Sequence, residues 1–168
     1  LIMVIMSILF WQLMPFPGTR AYDQNTLGRH DREFRRFKEW VRKEFGLPML
    51  SRVFPAGTVI RSVEVEVAGP TSFGRPMGSY PILVGIPLTL PERTVMDAVV
   101  VASGMRSVTA LPVPVDVNHL PVPALRWLPG VGKKRAAAIA AARPFRSREE
   151  FRQVAGATPL EGLLSFLP

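Results

Sequence analysis

The segment Leu128-Pro-Gly-Val-Gly-Lys-Lys134 decides how the last third of the chain folds. Gly130 and Gly132 let the backbone turn tightly and remove the Cβ atoms that would hold a ligand away. The backbone N–H groups of Gly130, Gly132 and Lys133 are expected to point outward at the start of a helix. Unpaired donors and the helix dipole together favour an anion there. The segment therefore predicts a site for a phosphate group.

Charged and apolar side chains surround this turn in a consistent pattern. Lys133, Lys134 and Arg135 add positive charge at the end of the helix where the N–H groups lie. Leu128 and Val131 are expected to pack the two flanking helices around the turn. An ordinary corner between two helices, closed by glycine, is the structural alternative. The candidate phosphate-binding residues are Leu128, Gly130, Val131, Gly132, Lys133, Lys134 and Arg135.

The longer run from Pro123 to Ile139, Pro-Ala-Leu-Arg-Trp-Leu-Pro-Gly-Val-Gly-Lys-Lys-Arg-Ala-Ala-Ala-Ile, resembles the helix-hairpin-helix family. The lead-in Val115-Asp-Val-Asn118 resembles the single-hairpin modules of that family. The resemblance implies binding to DNA or RNA backbone without reading of the sequence. Some hairpins of this family serve only as packing or protein contacts. A structural or protein-interaction tail without nucleic-acid binding therefore stays open as the alternative.

The charge of the chain is positive and unevenly distributed. The net charge is +8, and residues 121–168 carry eight Lys or Arg against three Asp or Glu. Residues 57–120 carry four against five, and residues 1–56 carry nine against five. A basic balance suits nucleic acid, or less often a membrane surface. The two basic flanks are therefore the regions expected to meet a polyanion.

The residue types present exclude several classes of chemistry within this chain. There is no cysteine, which excludes disulfides, thiol catalysis, Cys-ligated zinc and a Cys-ligated iron–sulfur cluster. His30 and His119 have no spacing that suggests a shared metal. Asp97 and Asp116 are isolated and are interpreted as turn or cap residues. We therefore predict no catalytic residue, no metal site and no cofactor in this chain.

The chain begins with an apolar stretch, Leu1 to Met14, and continues with helical and strand patterns. Leu1–Met14 is too short for a comfortable membrane span and favours a buried strand, so a membrane anchor is the weaker alternative. Thr19 to His30 is interpreted as a loop. Asp31 to Phe45 predicts a helix with an apolar stripe, ended by Gly46-Leu47-Pro48. The residues of the stripe are Phe34, Phe37, Trp40, Val41 and Phe45.

The middle of the chain predicts a small antiparallel β-barrel. β-Branched residues and a period of two replace the helical spacing, and turn signals recur at 69–70, 74–78, 87–91 and 103–104. The expected strands are Thr58–Val67, Pro81–Ile86, Asp97–Ala102 and Ser107–Val113.

The last third of the chain predicts helices. Short helices are expected at Pro123–Trp127 and Lys133–Ala142, before the stop at Arg143-Pro144. Capping boxes at Ser147–Glu150 and Thr158–Glu161 predict two more helices. The fold class is α+β, with expected boundaries of 1–25 for the remnant of a preceding barrel, 26–52 for a linker helix, 53–116 for the barrel and 117–168 for the helix-hairpin-helix module.

Two further resemblances place these segments in a larger protein. Glu64-Val-Glu66, Phe73-Gly-Arg75 and the apolar strands after them resemble the TRAM barrel, an OB-like fold, which makes Phe73, Arg75 and Tyr80 candidates for a secondary contact by stacking and phosphate binding. The order of several segments is similar to that in the C-terminal part of archaeal radical SAM proteins with a C-terminal helix-hairpin-helix motif. These segments are Met14 to Tyr22, the helix to Phe45, Gly78–Pro87, Arg106–Ala110 and the hairpin.

The second resemblance implies partners and cofactors outside this chain. It implies an upstream radical SAM barrel that holds a [4Fe–4S] cluster and S-adenosylmethionine, with Gln12 to Thr19 as its last strand and exit loop. No cluster ligand can be assigned here because the chain has no cysteine. The implied substrate is nucleic acid, which could be tRNA, other RNA or DNA, and the implied location is cytoplasmic.

Overall fold

The computed structural model describes residues 16–23, 31–78, 82–104 and 106–167. The chain divides into two compact units, residues 1–48 and 49–168. The expectations for Leu1–Met14, for His30 and for Tyr80 lie outside the described residues, as does the part of the expected exit strand before Phe16.

The described residues of the first unit, 16–23 and 31–48, are mostly helical. Helix α1 spans Arg20–Asp23 and helix α2 spans Asp31–Val41, followed by a π-helical turn at Arg42–Gly46. The expected loop from Thr19 onward is wrong over α1. The reason is local, because the Thr19 hydroxyl accepts a hydrogen bond from the Tyr22 N–H at 3.3 Å and so starts a helical turn.

The expected aromatic stripe of α2 forms but is largely exposed. The Phe37 and Trp40 rings stack with centroids 6.2 Å apart, and Phe45 meets Trp40 edge-on at 5.3 Å. Trp40 remains 52% exposed, whereas Val41 is buried. The side chains of the stripe therefore contact one another more than they contact a core.

The predicted stop at Gly46-Leu47-Pro48 is wrong, because helix α3 spans Leu47–Val53. The Leu47 N–H donates to the Arg42 carbonyl, five residues back, in the wider π-helical turn. Proline lacks an N–H, and in a regular α-helix its ring clashes with the carbonyl four residues earlier. The wider turn accommodates Pro48, so the helical path continues.

A closed five-stranded barrel follows, as the sequence predicts. Its strands are β1 (Val59–Val67), β2 (Ser72–Pro76), β3 (Leu83–Ile86), β4 (Val95–Ser103) and β5 (Ser107–Pro112), in the order β1-β2-β3-β5-β4. Four pairs are antiparallel. The expectation of a wholly antiparallel barrel is wrong for β3 and β5, which run parallel because β4 lies at the other side of β5 and the connection crosses the barrel.

Strand β2 occupies part of a segment that the sequence predicts as a turn. Gly74 and Pro76 resemble breakers, yet Gly74 pairs with Val65 in the ladder between β1 and β2. A Cβ atom on Gly74 would lie 2.3 Å from the Glu64 carbonyl oxygen. Glycine is therefore needed here for the close approach of the two backbones, at a bulge of β1, rather than for a turn.

Two apolar clusters form the core of the second unit. One fills the barrel and includes Val63, Val65, Val84, Val100 and Ala110. The other is shared between the barrel and the C-terminal elements, and it joins barrel residues to the helices that flank the predicted hairpin. Its members include Val99, Val101, Leu111, Leu125, Leu128, Val131, Ile139 and Phe151.

The C-terminal elements match the predicted helices up to Gly156. Strand β6 (Val115–Asp116) leads into helix α4 (Val122–Leu125), helix α5 (Lys133–Ala141) and helix α6 (Arg148–Ala155). The helix expected after Thr158 is wrong. A 3₁₀ turn at Glu161–Leu163 is followed by strand β7 (Leu164–Ser165), which pairs parallel with β6. Leu164 has an extended backbone because it pairs with β6. The helical spacing of the leucines after Thr158 therefore does not produce a helix.

The Asn118 side chain forms hydrogen bonds between separate segments of this module. Its amide nitrogen donates to the carbonyls of Phe145, at 3.0 Å, and Leu167, at 2.8 Å, while its amide oxygen accepts from the Phe145 N–H at 2.8 Å. One side chain thus links the lead-in to the segment before α6 and to Leu167, two residues after strand β7. In the described part of the chain, no helix is both long enough and apolar enough to cross a membrane.

Gly74→Ala is expected to lower the free energy of unfolding by about 1–3 kcal/mol, since the added Cβ must displace backbone rather than a flexible side chain. Urea unfolding followed by circular dichroism measures this loss. Gly57→Ala has open space around its Cβ and tests instead the strain at a positive φ of +95°. A Gly74→Ala protein as stable as the wild type would contradict the close approach of β1 and β2.

Candidate functional site

The hairpin turn is held from inside by two apolar side chains. Leu128 is 2% exposed and Val131 is 5% exposed, and both belong to the cluster shared with the barrel. Between them the Val131 N–H donates to the Leu128 carbonyl at 2.9 Å. Gly130 lies at the turn with a φ of +78°, a conformation that glycine adopts without strain. Burial on both sides of Gly130 therefore fixes the path of the turn.

Helix α5 begins directly after this turn without a side-chain cap. Gly132 is its N-cap, in extended backbone, and makes no side-chain hydrogen bond to the helix. The first bond of the helix runs from the Ala136 N–H to the Gly132 carbonyl at 2.9 Å. The N–H groups of Lys133, Lys134 and Arg135 precede that bond, so they have no acceptor within the helix. The start of α5 thus presents several unpaired donors.

The two glycines of the hairpin have different roles. At Gly130 the positive φ disfavours any other residue. Gly132 has a φ of −85°, which every residue can adopt, and a Cβ atom there would meet nothing within 4 Å. The fold therefore requires glycine at 130 but not at 132. An open backbone at Gly132 suits the close approach of a ligand.

Helix α6 provides a contrast within the same module. The Ser147 hydroxyl accepts the Glu150 N–H at 3.2 Å, and a Glu150 carboxylate oxygen accepts the Arg146 N–H at 2.7 Å. The predicted capping box is confirmed in its first bond. The second bond goes to the residue before the N-cap. The start of α6 is thus satisfied by its own side chains, whereas the start of α5 is open.

The candidate side chains at the hairpin divide into three groups. Lys133 and Lys134 are exposed beside the open N–H groups. Leu128 and Val131 are buried, so they position the turn and offer a ligand only their backbone. Arg135 is exposed but turns back, and its Nη1 donates to the Gly130 carbonyl at 2.7 Å. Sequence reasoning gave Arg135 the role of added charge and missed this bond, which no periodicity or motif signals.

Arg143 is another cation of the basic C-terminal third that faces inward. Its guanidinium donates to the Leu120 carbonyl, across the module. Desolvation lowers the pKa of Arg143 from its ordinary value, and nearby Asp116 acts in the opposite direction. An arginine remains charged under all ordinary conditions. Part of the positive charge counted from the sequence is therefore used to hold the module together.

Two of the candidates for a secondary contact on the barrel have partners within the barrel itself. Arg75 is ion-paired with Glu66, so its charge is offset. Phe73 is 37% exposed, and its ring lies 3.4 Å from where a Cβ on Gly85 would stand. The ring thus covers the glycine backbone of the neighbouring strand. The third candidate of this group, Tyr80, lies outside the described residues.

The turn or cap role predicted for two aspartates holds for Asp116 but is wrong for Asp97, which lies within strand β4 and contacts a neighbouring strand. Asp97 accepts the Ser62 N–H at 2.9 Å, across the irregular pairing of β1 and β4. Asp116 accepts the Asn118 N–H at 3.0 Å and contacts His119 Nδ1 at 2.7 Å. Within residues 16–23, 31–78, 82–104 and 106–167, no three His, Cys, Asp or Glu side chains are grouped so that they could hold a metal ion.

Comparison with known proteins agrees with this geometry for the C-terminal third. Residues 112–161 match the helix-hairpin-helix motif. An uncharacterized protein of Archaeoglobus fulgidus is 37% identical over 148 residues, which cover 86% of this chain and 27% of that protein. An uncharacterized protein of Methanocaldococcus jannaschii is 43% identical over 103 residues, 58% of this chain and 19% of that protein. This chain therefore spans about a quarter or less of these archaeal relatives. No solved structure matches it.

Exchange of each hairpin glycine for alanine separates the two roles. Gly130→Ala is expected to lower the free energy of unfolding by about 1 kcal/mol or more, because alanine disfavours a positive φ. Gly132→Ala is expected to change it by less than about 0.5 kcal/mol, since the lower entropy of the unfolded chain offsets a poorer N-cap. Urea unfolding of both variants decides. Equal losses of unfolding free energy in the two variants would contradict the conclusion that the fold requires glycine at 130 but not at 132.

Proposed function

We propose that the hairpin binds the phosphate backbone of nucleic acid without reading its sequence. The observation that carries this proposal is the open start of α5. Unpaired N–H groups and the positive end of the helix dipole face a space that no side chain fills at Gly132. A phosphate group has the charge, the size and the acceptor oxygens to occupy that space.

The charge around the hairpin supports the same partner. Lys133 and Lys134 are exposed at the open end of α5, and the last third of the chain carries eight basic against three acidic side chains. A single hairpin contacts few phosphates, so its affinity should be weak, on the order of 10⁻⁴ to 10⁻⁶ M, and should fall with added salt. Binding of this kind suits a tether that holds nucleic acid near another domain.

The apolar cluster shared with the barrel holds the hairpin in a fixed position relative to the barrel. Leu125, Leu128 and Val131 belong to the same apolar cluster as Val99 and Leu111 of the barrel. Because the hairpin packs on the barrel through buried side chains, the phosphate site should move with the barrel rather than on a flexible linker. A nucleic acid held there would keep a defined position relative to β4 and β5.

For the longer protein, we extend this proposal to a radical SAM enzyme that modifies nucleic acid. The order of motifs stated above supports it, together with the fact that the matched relatives are several times longer than this chain. This chain has no cysteine and so cannot supply the ligands of a [4Fe–4S] cluster, which would lie outside it. A longer protein whose sequence lacks a Cys-x₃-Cys-x₂-Cys motif would remove this extension and leave the hairpin proposal intact.

Contact with another protein is the second candidate function, and α2 favours it. Phe37, Trp40 and Phe45 expose 40%, 52% and 52% of their surfaces, and Trp40 stacks on Phe37 and meets Phe45 edge-on. Exposed aromatic clusters of this kind mark interaction surfaces more often than isolated apolar residues do. This candidate requires no nucleic acid. It is favoured if the full chain shows no salt-dependent binding to DNA or RNA.

Gly132→Asp is expected to change stability and binding in opposite directions. A carboxylate at the N-cap would accept the unpaired N–H groups and raise the free energy of unfolding by about 0.5 kcal/mol. The same carboxylate would repel phosphate and lower the affinity for duplex DNA or RNA by about tenfold or more. Urea unfolding and fluorescence anisotropy at low salt measure the two effects.

Gly162→Asp is the matched control. It makes the same charge change in the same module, at a glycine whose Cβ would also meet nothing within 4 Å. It should retain most of the affinity. Equal affinity of Gly132→Asp and the wild type would exclude the start of α5 as the binding site.

A further inference from the structure

Arg135 occupies the space between two glycine turns. Its Nη1 lies 2.7 Å from the Gly130 carbonyl oxygen, to which it donates. A Cβ on Gly130 would lie 3.9 Å from that nitrogen, and a Cβ on Gly156, at the end of α6, would lie 3.6 Å from it. Both glycines have φ near +80°. The guanidinium thus bonds the hairpin turn and lies beside the glycine turn at the end of α6.

One peptide plane of the hairpin is held at both ends. The plane between Gly130 and Val131 contains the Gly130 carbonyl and the Val131 N–H. Arg135 holds the carbonyl, and the Leu128 carbonyl accepts the N–H at 2.9 Å. Because this plane cannot rotate, the directions of the neighbouring N–H groups of Gly130 and Gly132 are restricted as well.

The position of Arg135 within α5 is unfavourable for the helix itself. It is the third residue of the helix, where Glu150 stands in α6 and accepts a backbone N–H. Arginine has no acceptor and so leaves the N–H groups of the first turn unpaired. A cation is also disfavoured near the positive end of the helix dipole. Stability of α5 therefore does not account for an arginine at this position.

We propose that Arg135 is a positioning residue of the phosphate site and does not contact phosphate. This inference rests on the function proposed above and assigns a role within the same site. Arg135 holds the Gly130 carbonyl, and the fixed turn directs the N–H groups of Gly130, Gly132 and Lys133 toward one phosphate group. Lys133 and Lys134, which have no hydrogen bond back to the hairpin among the described residues, supply the direct charge.

The salt dependence of binding distinguishes positioning from direct contact. Each phosphate contact by a cation adds about 1 to the slope of log K against log of the salt concentration. Arg135→Gln and Lys134→Gln are matched, since each removes one exposed positive charge from the first turn of α5. The affinity of the full chain for a DNA duplex is measured by anisotropy between about 50 and about 200 mM KCl.

Arg135→Gln is expected to weaken binding about three- to tenfold, the effect of one hydrogen bond, and to leave the slope as in the wild type. Lys134→Gln is expected to reduce the magnitude of the slope by about 1. A slope reduced equally by Arg135→Gln would overturn the proposal, because Arg135 would then contact phosphate itself. Unchanged affinity in Arg135→Gln would overturn it too.

A second measurement requires no nucleic acid. In ¹H–¹⁵N spectra of the full chain, Arg135→Gln should shift the amide signals of Gly130, Val131 and Gly132, whereas Lys134→Gln should leave Gly130 and Val131 in place. Unmoved signals in Arg135→Gln would show that Arg135 does not hold the turn. If the wild type binds no nucleic acid, the proposed function fails while this spectrum still decides the role of Arg135 in the turn.

Discussion

The burial of Leu128 and Val131 on either side of Gly130 is the constraint on which the candidate site depends. The two side chains fix the chain in the apolar cluster, and the turn between them requires the positive φ of Gly130. Helix α5 then begins directly after its N-cap, Gly132, with its first residues exposed and with Ala136 and Ile139 packed in the cluster. Because Gly132 has no side chain, the N–H groups of the first turn of α5 are not capped. These N–H groups are then free to donate hydrogen bonds to an anion. The packing of Leu128 and Val131 thus maintains a turn whose following N–H groups have no hydrogen-bond acceptor within the helix.

The same cluster explains why the hairpin is not an independent appendage. Val99 and Leu111 of the barrel pack with Leu125 and Ile139 of the hairpin helices. Asn118 adds hydrogen bonds from the lead-in to the segment before α6 and to Leu167, which follows strand β7. A substitution that loosens the barrel core should therefore also disturb the hairpin turn and the phosphate site proposed there, even at a position far from the turn.

Local signals were sufficient for much of the fold. The glycines at 130 and 132 and the capping residue Ser147 each act through near neighbours, and the structure agrees with them. Two failures, at Thr19 and at Pro48, also have local causes, whereas the others come from long-range partners. Gly74 resembles a breaker until Glu64 is placed against it, and the leucines after Thr158 suggest a helix until β6 pairs with Leu164. The inward bond of Arg135 is likewise set by a turn that periodicity does not describe.

The central claim is that phosphate meets the open backbone at the start of α5. Titration of a DNA duplex into the ¹⁵N-labelled full chain, followed by ¹H–¹⁵N spectra at low salt, tests it most directly. The account predicts that the amide signals of Gly130, Gly132 and Lys133 shift first and furthest, and that added salt reverses the shifts. Shifts centred on Phe73 and Arg75 of the barrel, with the hairpin signals unmoved, would contradict it.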